Sequence, residues 1–225
     1  MVLKKIVTGE VLDIVPHAGG FMYADKRTLE DGSVRAAFFL YEQDKDESFP
    51  ITTKTYLNHK FGDSFKPIAE HLGDFISCDA AIMLNSGVIA LYDTGEMHIF
   101  NGNGTPAWEG TLTYQDEPVR DLAVDGKNVW CAVPDRNAVI CYSPIEGRVL
   151  LRIGGGATSA FSYPVGITKY DDTLYVCNKN SYKVRTLTLE NYSVKDYLVF
   201  KEPVLKYFRV LDHEYAALES GVYIV

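Results

Sequence analysis

Short apolar runs separated by polar turns recur along almost the whole chain. VWCAV, AVICYS, RVLLRIG, TLYVCN, KVRTLTL, YLVF and VYIV are rich in Val, Ile, Tyr and Thr. The clusters DGKN, PDRN, PIEG, YDDT, NKNS and LENY separate them. β-branched and aromatic residues fit a pleated surface, while Gly, Asn and Asp accept the dihedrals of tight turns. Helical spacing of three and four is not sustained over ten residues anywhere. The nearest approach, FKPIAEHLGDF, is broken by Pro67 and Gly73. About twenty short strands, with turns every ~8–12 residues, predict an all-β protein: a sandwich, a barrel or a propeller.

A repeat decides among these. PVRDLAVDGKNVWCAVPDRNAVICYS begins at Pro118, PVGITKYDDTLYVCNKNSYKVRTLTL at Pro164 and PVLKYFRVLDHEYAALESGVYIV at Pro203. Each continues as strand, turn, strand, turn, strand. A fourth copy without the proline, DFISCDAAIMLNSGVIALYDTGEMHIF, begins at Asp74. The period, about 40–45 residues, is that of a four-stranded propeller blade. One four-stranded sheet cannot hide both faces; stacked radially, each sheet covers its neighbours.

Counting strands predicts five blades in a single domain over 1–225. The first is an enlarged blade over 11–70, with polar excursions at TLEDGS and EQDKDES, followed by blades over 74–116, 118–155, 164–202 and 203–225. Six smaller blades, with 11–70 split in two, is the alternative. The last blade has only three strands. KKIVTGE at the N-terminus has no blade of its own, and pairing it beside VYIV would close the ring.

Composition changes this picture little. Of 225 residues, 47% are apolar and 12% aromatic, which excludes bulk disorder. No stretch approaches the ~18 apolar residues of a membrane helix. The net charge of −8 disfavours nucleic acid and anionic membrane as partners. Thr8, Gly9, Glu10 and Asp13 interrupt any signal-peptide core. The expectation is a cytoplasmic monomer, with an exported, trimmed chain as the open alternative. Cys78, Cys131, Cys141 and Cys177 form no C-x-x-C pair and read as buried thiols. A Cys131–Cys141 disulfide across a hairpin is the alternative.

The fourth repeat carries a family likeness. IGGGATSAFSYPVGITKYDDTLYVCNKNSYKVRTL resembles the NHL-repeat pattern through Gly154 to Gly156, Phe161, Pro164, Gly166–Ile167, Leu174–Tyr175–Val176, Asn178 and Lys183–Val184. The match covers residues 153–187. It weakens in the third repeat, where Arg120–Asp121 replaces Gly-Ile, and Cys177–Asn178 stands where the family usually has Ala-Asp. The resemblance implies a propeller and no particular activity, since such propellers include binding scaffolds, lyases and hydrolases. NHL-like lyases hold a metal with channel histidines, and no matching set is visible here.

Candidate chemistry is sparse. Of His17, His59, His71, His98 and His213, His17 and His213 fall in turns of neighbouring blades and could approach each other on one face. GGGATS lacks the Walker lysine and the following helix, so it reads as an inter-blade linker. NGNGT reads as a turn. The acids at Asp44–Asp46–Glu47, Asp116–Glu117 and Asp171–Asp172 read as solvated loop residues, and no serine stands in G-x-S-x-G. Neither catalytic residues, a metal nor a cofactor is expected. Topology does predict a face. Loops entering each inner strand, and loops joining second to third strands, emerge on one side. Asp74, Arg120, Asp121, Arg136, Lys179 and Lys206 would gather there at the channel mouth. The expected function is non-enzymatic binding of a protein, peptide or small polar ligand at that mouth. A lyase or hydrolase acting there is the alternative.

Overall fold

The five expected sheets form, each a meander that runs outward from the centre. The computed structural model describes residues 3–32, 34–61, 78–82, 88–92, 95–156 and 159–225. Strand β1 is Lys4–Thr8. Blade one follows as β2 (Val11–His17), β3 (Gly20–Thr28), β4 (Val34–Glu42) and β5 (Glu47–Pro50). Helix α1 spans Thr53–Phe61. Blade two is β6 (Cys78–Ile82), β7 (Val88–Tyr92), β8 (Glu96–Phe100) and β9 (Pro106–Thr111). A small hairpin of β10 (Thr113–Tyr114) and β11 (Glu117–Pro118) leads into blade three. That blade is β12 (Asp121–Asp125), β13 (Asn128–Val133), β14 (Ala138–Ser143) and β15 (Arg148–Gly154). Blade four is β16 (Pro164–Tyr170), β17 (Thr173–Asn178), β18 (Lys183–Thr188) and β19 (Val194–Val199). Blade five is β20 (Val204–Val210), β21 (His213–Leu218) and β22 (Gly221–Ile224), with β1 as its outer strand. The molecule is a five-bladed β-propeller, and the six-bladed alternative is dismissed.

The closing strand lies where the missing outer strand was expected. β1 pairs antiparallel with β22, placing Lys4 opposite Ile224 and Thr8 opposite Gly221. Val7 is buried in the seam between blades five and one, with Phe21, Tyr215 and Val222. Gly221 is glycine for a local reason: its φ is +141°, and a Cβ would strike the Val7 carbonyl.

Five apolar clusters fill the five seams, one between each pair of neighbouring sheets. Strand β13 explains why the middle strands read as unbroken apolar runs. Val129, Cys131 and Val133 point toward blade two, while Trp130 and Ala132 point toward blade four. Both faces are covered, so neither set of alternate positions can be polar. The same alternation rules out the Cys131–Cys141 disulfide. Cys131 stands opposite Ile140, and Cys141 opposite Trp130, so the two thiols lie one residue out of register and on opposite faces. Both are free.

Two local features were not anticipated. Blade one ends its strands at Pro50, and nine residues of helix follow. The amide of Thr55 donates to the Thr52 hydroxyl at 3.1 Å, a side-chain cap at the helix start. Tyr56 and Leu57 of α1 are buried, packed with Phe38, Ala90 and Phe100. Two adjacent apolar residues make no periodic stripe, so apolar spacing did not mark this helix. The β10–β11 hairpin is likewise too short for a pattern. No helix among the described residues is long and apolar enough to cross a membrane.

Candidate functional site

Asp121 begins β12, the inner strand of blade three, and its side chain is only 5% exposed. A carboxylate so placed needs donors. Its Oδ1 accepts from the Leu122 amide at 2.9 Å, within its own blade. Its Oδ2 accepts from the Ile167 amide of blade four at 2.7 Å. Lys206 of blade five donates Nζ to both oxygens, at 3.2 and 3.0 Å. One carboxylate thus ties three consecutive inner strands together at the channel mouth.

Gly166 allows this convergence. A Cβ there would collide with the Leu205 carbonyl, so glycine lets inner strands β16 and β20 approach closely. Asn178, fully buried, supports the same corner. Its Oδ1 accepts from the Ser162 amide at 2.9 Å, and its Nδ2 donates to the Val176 carbonyl at 3.0 Å. Of the residues in the NHL-like stretch, Phe161, Ile167, Leu174, Val176 and Asn178 are therefore packing and bonding elements. Cys177 lies beneath them, and burial pushes its thiol well above the ordinary range.

The predicted mouth residues fall into distinct roles. Lys206 and Asp121 meet directly. Arg136 donates Nε to the Gln115 carbonyl at 3.1 Å and lies 3.4 Å from Glu117, fastening the β10–β11 hairpin to blade three. Lys179 pairs with Glu219 at 3.2 Å, linking corresponding loops of blades four and five. Arg120 is exposed, and its side chain has no hydrogen bond or ion pair with any described residue. Asp74 and His71 lie outside the described residues.

Behind the mouth, a cavity of about 260 Å³ runs along the inner strands. Ile14, Val15 and Pro16 of β2, Leu122 to Val124 of β12, and Ile167 to Lys169 of β16 form its walls, with Lys206 and the α1 residue Lys60. Inner strands are hydrogen-bonded on one edge only, so their second row of amides and carbonyls faces this space. Lys60 pairs with Asp13 at 2.6 Å and Lys169 with Asp125 at 3.3 Å. Sequence reading missed Lys60 and Lys169. The first sits on the unanticipated helix. The second sits late in an inner strand, below the loops that marked the mouth.

The histidines distribute differently from expectation. His17 does not meet His213. Its ring lies 5.0 Å from that of His59, whose Nε2–H donates to the Pro16 carbonyl at 2.8 Å. His213 contacts Gln43 at 2.8 Å and Asp212 at 3.0 Å. His98 bonds Glu96 at 2.8 Å on β8. Among the described residues, no three His, Cys, Asp or Glu side chains converge as metal ligands.

On the opposite face, Arg209 stacks over the rings of Tyr175, Tyr170 and Tyr207, at 4.7, 5.2 and 5.8 Å. It also donates to the hydroxyls of Tyr207 and Tyr175, each at 2.7 Å, and pairs with Glu214 at 3.0 Å. Burial raises the Tyr170 and Tyr207 phenols above their ordinary range. These aromatics join blades four and five, so they serve packing rather than an exposed platform.

No protein-family model matches this chain, and no curated protein matches it in sequence. Solved propellers do match in shape. Sqt1 from Saccharomyces cerevisiae is 12% identical with a TM-score of 0.52, over 96% of this chain and 71% of that one. A catalytically inactive virginiamycin B lyase from Staphylococcus aureus, solved with quinupristin, is 11% identical with a TM-score of 0.55, over 95% and 78%. At these identities the likeness carries the fold alone. It shows this chain to be a β-propeller.

Proposed function

We propose that this propeller acts by binding rather than catalysis, and that it holds an acidic peptide or protein segment at the channel mouth. One observation carries the reading. Arg120 stands exposed at the entrance with no ion pair among the described residues, beside the Asp121–Lys206 pair. Arginine presents five donors in a planar fork suited to carboxylates, and an unpaired one at a concave entrance is a recognition element in waiting. Arg136 and Lys179 flank it but already hold Glu117 and Glu219, so they shape the rim.

Replacing both Arg120 and Lys206 by Ala should weaken capture of a fluorescein-labelled acidic peptide by about tenfold, read by anisotropy at low salt, with little change for a neutral peptide. Equal affinity in the variant would move the site off the mouth. Stoichiometric zinc, calcium or iron in elemental analysis of the purified protein would favour the catalytic alternative instead.

A further inference from the structure

We propose that His17 and His59 form a copper(II) site where helix α1 meets the inner strand of blade one. The site depends neither on Arg120 nor on the channel cavity. Its first support is an orphaned atom. Nδ1 of His17, the last residue of β2, is buried and has no hydrogen-bond partner. Buried polar atoms are nearly always satisfied, and an orphan marks a place where an ion or a water belongs.

The second support is the neighbouring ring. The imidazoles of His17 and His59 have centroids 5.0 Å apart and planes tilted by 54°, so they are not stacked. An imidazole ligated at about 2.0 Å has its ring centre about 3.2 Å from the metal, so two sharing one ion at about 90–110° have centres about 4.5–5.2 Å apart. The observed spacing falls in that range. The third support is the far nitrogen of His59. Its Nε2–H donates to the Pro16 carbonyl at 2.8 Å. A backbone carbonyl on the second ring nitrogen is the usual means of orienting a metal-binding imidazole. It places the proton on Nε2 and leaves a bare lone pair on Nδ1, which makes no hydrogen bond or ion pair with any described residue. Both Nδ1 atoms are therefore uncommitted.

The fold holds the pair in place. Tyr56, His59 and Lys60 stand at i, i+3 and i+4 along α1, so one helix face presents all three to β2. The Tyr56 hydroxyl and the Lys60 ammonium both hold Asp13 of β2, at 2.5 and 2.6 Å. These bonds fix the helix against the strand that ends in His17. The helix that interrupts the blade pattern thereby delivers a second imidazole to the first. Ligand chemistry selects the metal. Imidazole suits the late transition metals, whereas calcium and magnesium take oxygen ligands. Within the divalent series copper(II) binds nitrogen donors most tightly, with water completing its coordination.

The test is titration of the metal-stripped full chain with copper(II), read by calorimetry and by electron paramagnetic resonance. One ion per chain should bind more tightly than about 10 µM near neutral pH, with two imidazole nitrogens coupled to the copper spin. Affinity should fall at least about tenfold at about pH 5.5, where imidazoles take up protons in competition with the metal. His17→Gln and His59→Gln should each weaken binding at least about tenfold, whereas His213→Gln and Arg120→Ala should leave it unchanged. Calcium and magnesium should not compete. His59 is exposed, so its variant tests the site even if His17→Gln lowers the melting temperature. The proposal is overturned if copper(II) binds more weakly than about 10 µM, if the spectrum shows fewer than two imidazoles, or if His59→Gln binds like its parent.

Discussion

Asp121 is the residue on which the centre of the ring depends. Its oxygens receive two backbone amides and one ammonium from three blades. Removing a nearly buried carboxylate takes the acceptor from the Leu122 and Ile167 amides, a change that costs several kcal/mol when the donors stay buried. Asp121→Ala should therefore destabilise the fold by about 3 kcal/mol, a drop of roughly 6–12 °C in melting temperature for a chain of this size. Asp121→Asn keeps an oxygen acceptor and should lose about half as much. Equal melting of all three proteins would show that the carboxylate does not join the blades. At this scale the sequence was legible in type but not in role. Asp121 was expected near Lys206, and the two pair at 3.0 Å, yet no sequence pattern shows that an amide from the next blade would reach it.

Asp46 gives the residue scale a pH signature. It lies in the turn between β4 and β5, where Lys4 pairs with it and the Tyr41 hydroxyl donates at 2.8 Å. These hydrogen bonds, Lys4 first, hold its carboxyl below the ordinary range. A depressed carboxylate contributes stability that is full above its unfolded value of about 3.9 and fades as pH falls through the lower folded value. Wild type should therefore melt higher than Asp46→Asn at pH 6, with the gap closing in acid below about pH 4. A gap that stays constant to acid pH would mean the pair contributes nothing. Because this turn holds Lys4, acid should loosen β1 first.

Among elements, β1 carries the greatest consequence for its length. Five residues bring a ladder to β22 and put Val7 into the seam between blades five and one. Deleting residues 1–8 should destabilise the whole protein by several kcal/mol, measured by denaturant melts. A truncated chain that melts like its parent would refute the closure. This element was readable because a lone N-terminal strand and a three-stranded last blade complement each other. Helix α1 was not. It is nine residues long and its burial rests on Tyr56 and Leu57, which are adjacent in sequence and so show no helical period. Lys60, which it delivers to the channel, was hidden with it.

For the whole molecule, the repeat period was sufficient to specify the ring, because each sheet must be covered on both faces and VWCAV-like runs announce that coverage. What the period could not specify is what the ring encloses. Channel contents depend on which inner-strand side chains converge across the axis, as Lys206 and Asp121 do over 85 residues of sequence. The mouth and the cavity behind it are two levels of one axis, exposed Arg120 above and anchored lysine pairs below.

Closure by the first strand also sets a timetable for synthesis. Lys4 finds its ladder partner only when Ile224 has been added, so a growing chain must carry β1 unmated through the birth of all five sheets. Until then the gap between the first and last sheets stays open to any stray strand, including one from a neighbouring nascent copy.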